Sequence, residues 1–574
     1  MKKLFPFLKP YRLQLTVGPF FKLSEAVLEL LIPTLMALLI DNGVNMGNRS
    51  YIIKMGILML VIATFGVIFA FICQYSASIA SQGFGTDVRN AMFKKIGTLS
   101  FAQLDKFGTP SLINRITGDV TQLQSAVAML IRLVIRAPFL CVGGLVMAIM
   151  IDLKLSIIFM IVIPLFILVL FLVMFKAVPL YKSVQKKLDS LTLVLRENLS
   201  GVRVIRAFAG VKREKERFND RNTDYANTAI RVGKIAALTN PLTTIIMNLA
   251  AIAVIYFGGI RVNTGHLSQG EVIAFINYIT QILNAMIVVA NLVVLYTKAY
   301  ASALRVGEVL ETEPLIEYGE KNTTQNGENA VEFKNVSFTY DRGTPAETKV
   351  LSDVNFTIRP GETIALVGPT GAGKTTIVNL ISRFYDIEEG TILIDGYDLT
   401  KVSIESLRRQ MGVMTQDNFI FHGTIRENIL YGKMDATEEE MIAAAKAVNA
   451  HDFIMKMENG YDTILKERGA GLSIGQRQLI AFARTMISDP KILILDEATS
   501  SIDTHTELLV QQGIEALLAR RTSFVIAHRL STIQKADRIF VINNGGIEEQ
   551  GTPQQLLEQK GKYYDLYMAQ FAAI

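Results

Sequence analysis

Cysteine is scarce in this chain. Only Cys73 and Cys141 occur among 574 residues, both inside apolar runs, so a disulfide framework is excluded and free thiols are expected. Charge of one sign is lacking too: 58 Lys and Arg stand against 52 Asp and Glu, a net +6, too small a surplus for a nucleic-acid footprint. The first twelve residues are basic and amphipathic but carry no small-residue cleavage site. That argues against a signal peptide and for a helix lying on the cytoplasmic leaflet. Internal repeats and low-complexity tracts are absent, and no long disordered regulatory insert interrupts the chain.

What is plentiful is uncharged length. Half of the residues are hydrophobic and mean hydropathy is +0.33. A bilayer-spanning helix needs roughly 20 mostly apolar residues. Residues 55–86, 155–175, 235–260 and 272–297 contain no charge at all. Residues 13–40 make a further span interrupted by Lys22, Glu25 and Glu29, and 137–151 becomes long enough if its helix starts near Leu130. The expectation is six spans, about 13–40, 55–82, 130–151, 155–175, 235–260 and 272–297. Residues 176–234 hold 14 basic against 6 acidic residues, which marks them cytoplasmic, and 87–124 is likewise charged. Both termini then lie inside. Leu188, Leu191, Leu195, Leu199 and Val202 recur at helical spacing, so these excursions are helices that project past the membrane and turn near Gly108 and Gly201.

Polar residues inside the spans bear on cargo. Lys22, Glu25 and Glu29 share one helix face. Two readings stand: a wall of a substrate cavity, or a partly self-neutralising cluster that packs helices. Arg132 and Arg136 fall near the cytoplasmic end of the third span. Asn248, Asn277, Gln281, Asn284 and Asn291 read as interhelical hydrogen-bond partners rather than ligands. The polar, aperiodic stretch 312–330 is the domain boundary.

The C-terminal half carries the chemistry. Residues 368–375 read Gly-Pro-Thr-Gly-Ala-Gly-Lys-Thr between a strand, 363–367, and a helix beginning near Lys374. Such a loop aims backbone N–H groups at phosphate oxygens and adds the positive end of the helix dipole. Lys374 is the candidate for the β- and γ-phosphates and Thr375 for Mg²⁺. Asp496 ends the apolar strand Ile-Leu-Ile-Leu-Asp, where a carboxylate can hold Mg²⁺ through water. Glu497 follows, placed to polarise an attacking water.

Residues 472–476, Leu-Ser-Ile-Gly-Gln, together with this loop and the Asp496-Glu497 pair, resemble the signature set of ATP-binding cassette (ABC) proteins. The membrane half, with Glu197-Asn-Leu-Ser-Gly-Val-Arg-Val-Ile-Arg-Ala-Phe208, resembles the ABC exporter membrane domain of type IV. The resemblance covers nearly the whole chain. It implies that Tyr340 stacks on adenine and that Gly368, Pro369, Thr370, Gly371, Ala372, Gly373, Lys374, Thr375 and Thr376 cradle ATP. It also implies that Ser473, Gly475 and Gln476 meet ATP held by an opposite subunit. Gln416 matches the glutamine that contacts Mg²⁺ and the attacking water, Ser501-Ile502-Asp503 the loop after the catalytic carboxylate, and His528 the histidine that contacts the γ-phosphate. Catalysis is thus expected of Glu497, His528 and Gln416, and metal binding of Thr375, Gln416 and Asp496. Stretches near 100–107 and 198–208 match the short coupling helices that touch the ATPase domains.

One residue departs from the pattern. Ile474 stands where the family has glycine. A β-branched residue is poorly suited to positive φ and crowds the approach to phosphate. Heterodimeric bacterial multidrug exporters combine one chain of this kind with a partner whose signature is intact but whose catalytic glutamate is degenerate. Residues 114–123 and 136–144 also resemble such subunits.

The expectation is therefore a multi-domain chain. A six-helix transmembrane bundle with long cytoplasmic helical extensions occupies 1–325, and an α/β P-loop ABC ATPase domain occupies 326–574. Its expected work is ATP-driven efflux of drugs or other amphipathic compounds across a bacterial cytoplasmic membrane, with ATP and Mg²⁺ as cofactors. The expected partners are a second half-transporter, membrane lipid and a small amphipathic substrate, with no nucleic acid. A lipid flippase or peptide exporter uses the same scaffold; an ATP-gated channel is the alternative of another class.

Overall fold

The structure is a computed structural model. It describes residues 2–574 except 317–318, 320, 322–327, 341–346, 416–417, 497–503, 527–532 and 572–574. The chain forms two compact units, Met1–Gly97 with Thr109–Thr312, and Thr98–Gly108 with Glu313–Ile574.

The first unit is helical. Among the described residues, six helices are long and apolar enough to cross a membrane: Leu4–Val44, Arg49–Ile96, Thr109–Ile151, Leu153–Ser200, Val211–Asn263 and Gln269–Glu311. The helices Arg49–Ile96 and Leu153–Ser200 have 48 residues each, about 72 Å at a rise of about 1.5 Å per residue. That is more than twice a hydrocarbon core of about 30 Å, so each carries a long extension beyond its apolar stretch. The tight reversals are built from local chemistry. Asp152 caps the fourth helix by accepting from Leu155 N at 2.7 Å, and its other oxygen pairs with Arg261. Ser268 and Glu271 exchange side-chain and backbone hydrogen bonds in a capping box, satisfying two orphan donors at the helix start. The buried core gathers around Phe159, Phe166, Phe275, Tyr278 and Ile282. Tyr278 donates to Leu30 O at 2.8 Å, so it accepts from Thr34 Oγ1, 2.7 Å away, which fixes the last span against the first. Among the described residues, short π-helical turns interrupt the helices at Ile40–Val44, Arg115–Asp119 and Leu130–Val134.

The second unit contains two principal sheets. Strands β1 (Val331–Tyr340), β2 (Thr348–Ile358), β4 (Glu389–Ile394) and β5 (Tyr397–Asp398) form an antiparallel sheet in the order β2-β1-β4-β5. Strands β3 (Thr363–Val367), β6 (Met411–Met414), β9 (Ile492–Asp496), β10 (Thr522–Ile526), β11 (Arg538–Asn543) and β12 (Gly546–Gly551) form the other, in the order β12-β11-β3-β10-β9-β6. All its pairs are parallel except β11 with β12. Strands buried on both faces read as continuous apolar runs, as β9, Ile-Leu-Ile-Leu-Asp, does. A short pair, β7 (Gly423–Thr424) with β8 (Ile464–Leu465), stands apart.

The segment Thr98–Gly108 groups with this second unit. Its helix, Phe101–Phe107, starts at a Ser100–Gln103 capping box. The Phe101 ring lies 4.4 Å from Phe384, Tyr385 donates to Asp105 at 2.8 Å, and Gln103 Nε2 donates to Glu313 O at 2.6 Å. The other expected coupling stretch forms the short helix Val202–Ala207 of the first unit, with Phe208 exposed just after it.

Candidate functional site

In an open parallel sheet, ligands bind beyond the carboxyl ends of the strands. Strands β3, β10, β9 and β6 are neighbours and end together: Leu366 pairs with Ile526, Ile526 with Asp496, and Leu495 with Met414. The phosphate loop, Gln416, Asp496 with Glu497, and His528 follow or terminate these four strands in the sequence; Tyr340 and the signature residues lie on other elements. The side chains of Gln416, Glu497 and His528 lie outside the described residues, as do Ser501, Ile502 and Asp503.

The loop after β3 has the shape that phosphate needs. Gly368 has φ +151 and Gly373 φ +108. A Cβ on Gly368 would stand 2.1 Å from Ile542 O, and one on Gly373 2.7 Å from Leu351, so side chains are excluded at both. The helix Lys374–Ile381 begins directly after Gly373. Lys374 is buried, and its ammonium donates to Gly368 O at 2.8 Å and Pro369 O at 2.9 Å, which leaves one ammonium hydrogen for a ligand. Burial pushes its pKa down, with the Asp496 carboxylate pulling the other way. Pro369, Thr370, Gly371 and Thr375 are exposed, while Ala372 and Thr376 are buried. Tyr340, at the end of β1, reaches Thr376 Oγ1 at 3.3 Å and meets Tyr385 edge to face at 5.2 Å.

These residues fit ATP with Mg²⁺. The glycine cradle suits phosphate, Lys374 its charge, Thr375 and Asp496 the metal, and Tyr340 the base. Bound ATP supplies the phosphoanhydride whose hydrolysis drives the cycle. In that fit the loop N–H groups would hold the phosphates, with Lys374 desolvated beside them.

The signature residues lie on a different element. Helix Ile474–Ser488 is opened by Ser473, whose Oγ accepts from Gln476 N at 3.1 Å while Ser473 N donates to Gln476 Oε1 at 2.9 Å. Ser473 and Ile474 are exposed, Gly475 is buried and Gln476 half-buried. The structure corrects one expectation: Ile474 is the first helical residue and is not among those with positive φ. The left-handed conformation falls on Gly471 instead, φ +105. Any penalty at 474 comes from the side chain, not from backbone strain.

Arg484, three turns along this helix, is a residue that sequence reasoning passed over. It donates to Asn428 O at 2.8 Å, Phe419 O at 2.9 Å and Asn428 Oδ1 at 2.9 Å, and lies over the rings of Phe421 and Tyr431. Asn428 in turn brackets Phe421 through its N–H and C=O. The segment just after Gln416 is thereby pinned to the signature helix. The available signal was an arginine set among the buried apolar residues of an amphipathic helix.

In the first unit Lys22, Glu25, Glu29 and Arg136 form ion pairs. Lys22 donates to both Glu25 oxygens, at 2.8 and 2.6 Å, and Arg136 to Glu29 at 2.6 Å. Of the two readings, this geometry favours the self-neutralising cluster. The asparagines are corrected too. Asn248, Asn277, Asn284 and Asn291 are exposed. Asn277 donates to Ile273 O of its own helix at 3.0 Å, and Gln281 Oε1 is buried without a partner among the described residues.

A helical unit with six membrane-capable helices, followed in one chain by a parallel-sheet unit with a phosphate loop, defines a membrane transporter powered by its own ATPase domain. Residues 15–286 match the ABC transporter transmembrane region and 351–500 the ABC transporter ATPase family. The chain belongs to the ABC transporter family. It is 35% identical to the uncharacterised ABC transporter ATP-binding protein YfiB of Bacillus subtilis, over 100% of this chain and 99% of that one. It is 38% identical to an ATP-dependent lipid A-core flippase of Syntrophus aciditrophicus, over 87% of this chain and 83% of the flippase. It is 39% identical to a fatty acid ABC transporter ATP-binding/permease protein of Mycobacterium bovis, over 84% and 75%. A bacterial Atm1-family ABC exporter solved with ATP bound superposes with TM-score 0.80 at 26% identity, covering 98% of each chain. The chain is therefore an exporter-type half-transporter, a multi-pass membrane protein with an ATP-hydrolysing domain coupled to transport.

Proposed function

We propose that this chain is one half of a dimeric exporter that moves amphipathic compounds outward across a bacterial cytoplasmic membrane, with a different chain as its partner. The observation that carries the dimeric reading is a stripe of amides. Asn277, Asn284 and Asn291 stand at seven-residue intervals on the helix Gln269–Glu311 and all are exposed. Seven residues are close to two helical turns, so they share a face. Polar groups facing hydrocarbon without partners cost several kcal/mol each on the order of one lost hydrogen bond. A second chain or a water-filled path between two chains relieves that cost.

Drug efflux is the broader reading of cargo, and a lipid-like amphiphile is the one we favour. Glu25 and Glu29 are already neutralised by Lys22 and Arg136, so neither carboxylate stands ready for a cationic drug. The relatives that handle lipid A-core and fatty acids support the same choice. Glu497 is our candidate for the general base, with Gln416 and His528 beside the γ-phosphate. The test is a reconstituted complex carrying Glu497→Gln. It should bind ATP, lose nearly all steady-state hydrolysis and stop ATP-dependent uptake of labelled amphiphile into inverted vesicles. Near-normal turnover overturns the assignment. Ohmic currents without coupled turnover would make the protein a channel.

A further inference from the structure

The ion pairs of the membrane unit do not balance. Five ionisable residues lie along the stretch where the first and third spans pack: Lys22, Glu25 and Glu29 on one, Arg132 and Arg136 on the other. The two helices touch through Ile131, whose side chain fills the space beside Gly18, where a Cβ would come within 2.4 Å. Ile131 is buried with Cys73, Ala77 and Ala80 of the second span. Both carboxylates are spent. Glu25 takes two hydrogen bonds from Lys22 and Glu29 takes one from Arg136. Three cations against two carboxylates leave one positive charge over. Arg132 has no hydrogen-bond or ion-pair partner among the described residues, and Arg136 Nε is buried without an acceptor.

Arg132 also sits in a π-helical turn, Leu130–Val134. Such turns insert an extra residue into a helix and are frequent at functional sites. A cation left half-buried at membrane depth is costly, and its cost falls when an anion joins it. Arginine is suited to that role, because its planar fork matches carboxylate and phosphate geometry.

We infer that Arg132, with the free Nε of Arg136, binds the anionic headgroup of the amphipathic cargo, a phosphate or carboxylate. This rests on the exporter reading and narrows its substrate to anionic amphiphiles. The same chemistry could be met by a headgroup of the surrounding bilayer, and the test separates the two.

The complete complex is reconstituted in phosphatidylcholine. Equilibrium binding of dodecyl phosphate and of dodecyltrimethylammonium, which share one chain length, is measured together with the concentrations that half-stimulate ATP turnover. Dodecyl phosphate should act at about tenfold lower concentration, the size of one charge-assisted hydrogen-bonded contact. Arg132→Gln should erase that ratio and Arg132→Lys should keep most of it. A ratio near one in the unmodified complex, or an undiminished ratio in Arg132→Gln, overturns the inference. The unmodified complex decides the case even if Arg132→Gln fails to assemble. If added phosphatidylglycerol raises thermal stability through Arg132 while neither probe is discriminated, the anion is bilayer lipid and the inference also fails. Binding of dodecyl phosphate without any coupled turnover would instead retain the inference and sink the exporter reading.

Discussion

Lys374 and Arg484 show how differently two buried cations can be used. Lys374 is held by two carbonyls of its own loop, so its charge is positioned before any ligand arrives. Lys374→Ala should weaken ATP binding by about tenfold or more, since hydrogen bonds to charged groups contribute roughly 1.5–3 kcal/mol. Titration with a fluorescent nucleotide reads this directly, and unchanged affinity would remove Lys374 from the site. Arg484 faces inward and holds chain segments together. Arg484→Met keeps the stem but takes the Arg484 donor from the backbone carbonyls of Asn428 and Phe419, at about 1–3 kcal/mol for each unsatisfied group, while Asn428 Oδ1 keeps the Phe421 N–H. In the intact complex this should lower the unfolding midpoint of the ATPase unit by about 2–4 °C per kcal/mol, followed by calorimetry. The loop around Lys374 is legible in sequence because its chemistry demands a fixed spacing of glycines, lysine and threonine. Arg484 is not, because its three acceptors lie 56 to 65 residues away and only the fold joins them.

At the scale of elements, uncharged length announces the membrane helices, and charge bias announces their extensions. Rotation about the helix axis is what sequence leaves open. Asparagines at seven-residue spacing read in sequence as interhelical hydrogen-bond partners, and only the packed helices show Asn277, Asn284 and Asn291 on an exposed face. The π-turns are illegible for the same reason, since no residue type marks them. The turn Arg115–Asp119 carries a latch outside the spans. Buried Asp119 accepts from Ser302 at 2.9 Å and from Arg305 Nε at 2.7 Å and Nη2 at 2.5 Å. Burial alone would raise the Asp119 pKa, but the hydrogen bonds from Arg305 and Ser302 outweigh it and hold the carboxyl below its ordinary range. A depressed carboxyl pKa stabilises the fold above the unfolded-state value and loses that contribution as pH falls through the folded one. Asp119→Asn should therefore lower the unfolding midpoint at neutral pH, and the difference should shrink as pH drops below the usual carboxylate range. A gap constant with pH would show that the latch is packing alone. The segment Thr98–Gly108 invites a second test. Phe101→Ala removes the ring set against Phe384, and aromatic pairs contribute about 0.5–1.5 kcal/mol beyond their buried area. The ratio of substrate-stimulated to basal ATP turnover should fall; an unchanged ratio would mean this contact carries no signal.

At the scale of the whole molecule, the departure at Ile474 governs the prediction. The helix it opens is capped normally by Ser473 and Gln476, so Ile474 does not deform the signature. It adds a branched, exposed side chain at the helix N-terminus, where an anion would otherwise approach bare backbone N–H groups. A site closed by this signature should be catalytically poor. The chain's own phosphate loop, with its cradle intact, should form a competent site when closed by an unaltered signature. Two unlike sites require two unlike chains. Co-expression with its partner should yield a one-to-one complex by native mass measurement, with nucleotide trapped at one site faster than at the other. Ile474→Gly alone should raise turnover little, because the glutamate facing that signature, contributed by the partner, is expected to be degenerate as well. Restoring both together should raise it more than the sum of the separate changes, the mark of residues that act as a unit. The decisive preparation is the chain purified by itself: a stable homodimer with robust turnover at two equivalent sites would mean that isoleucine is tolerated at 474. The pairing of unlike chains would then fall, while the exporter's ATPase chemistry would stand.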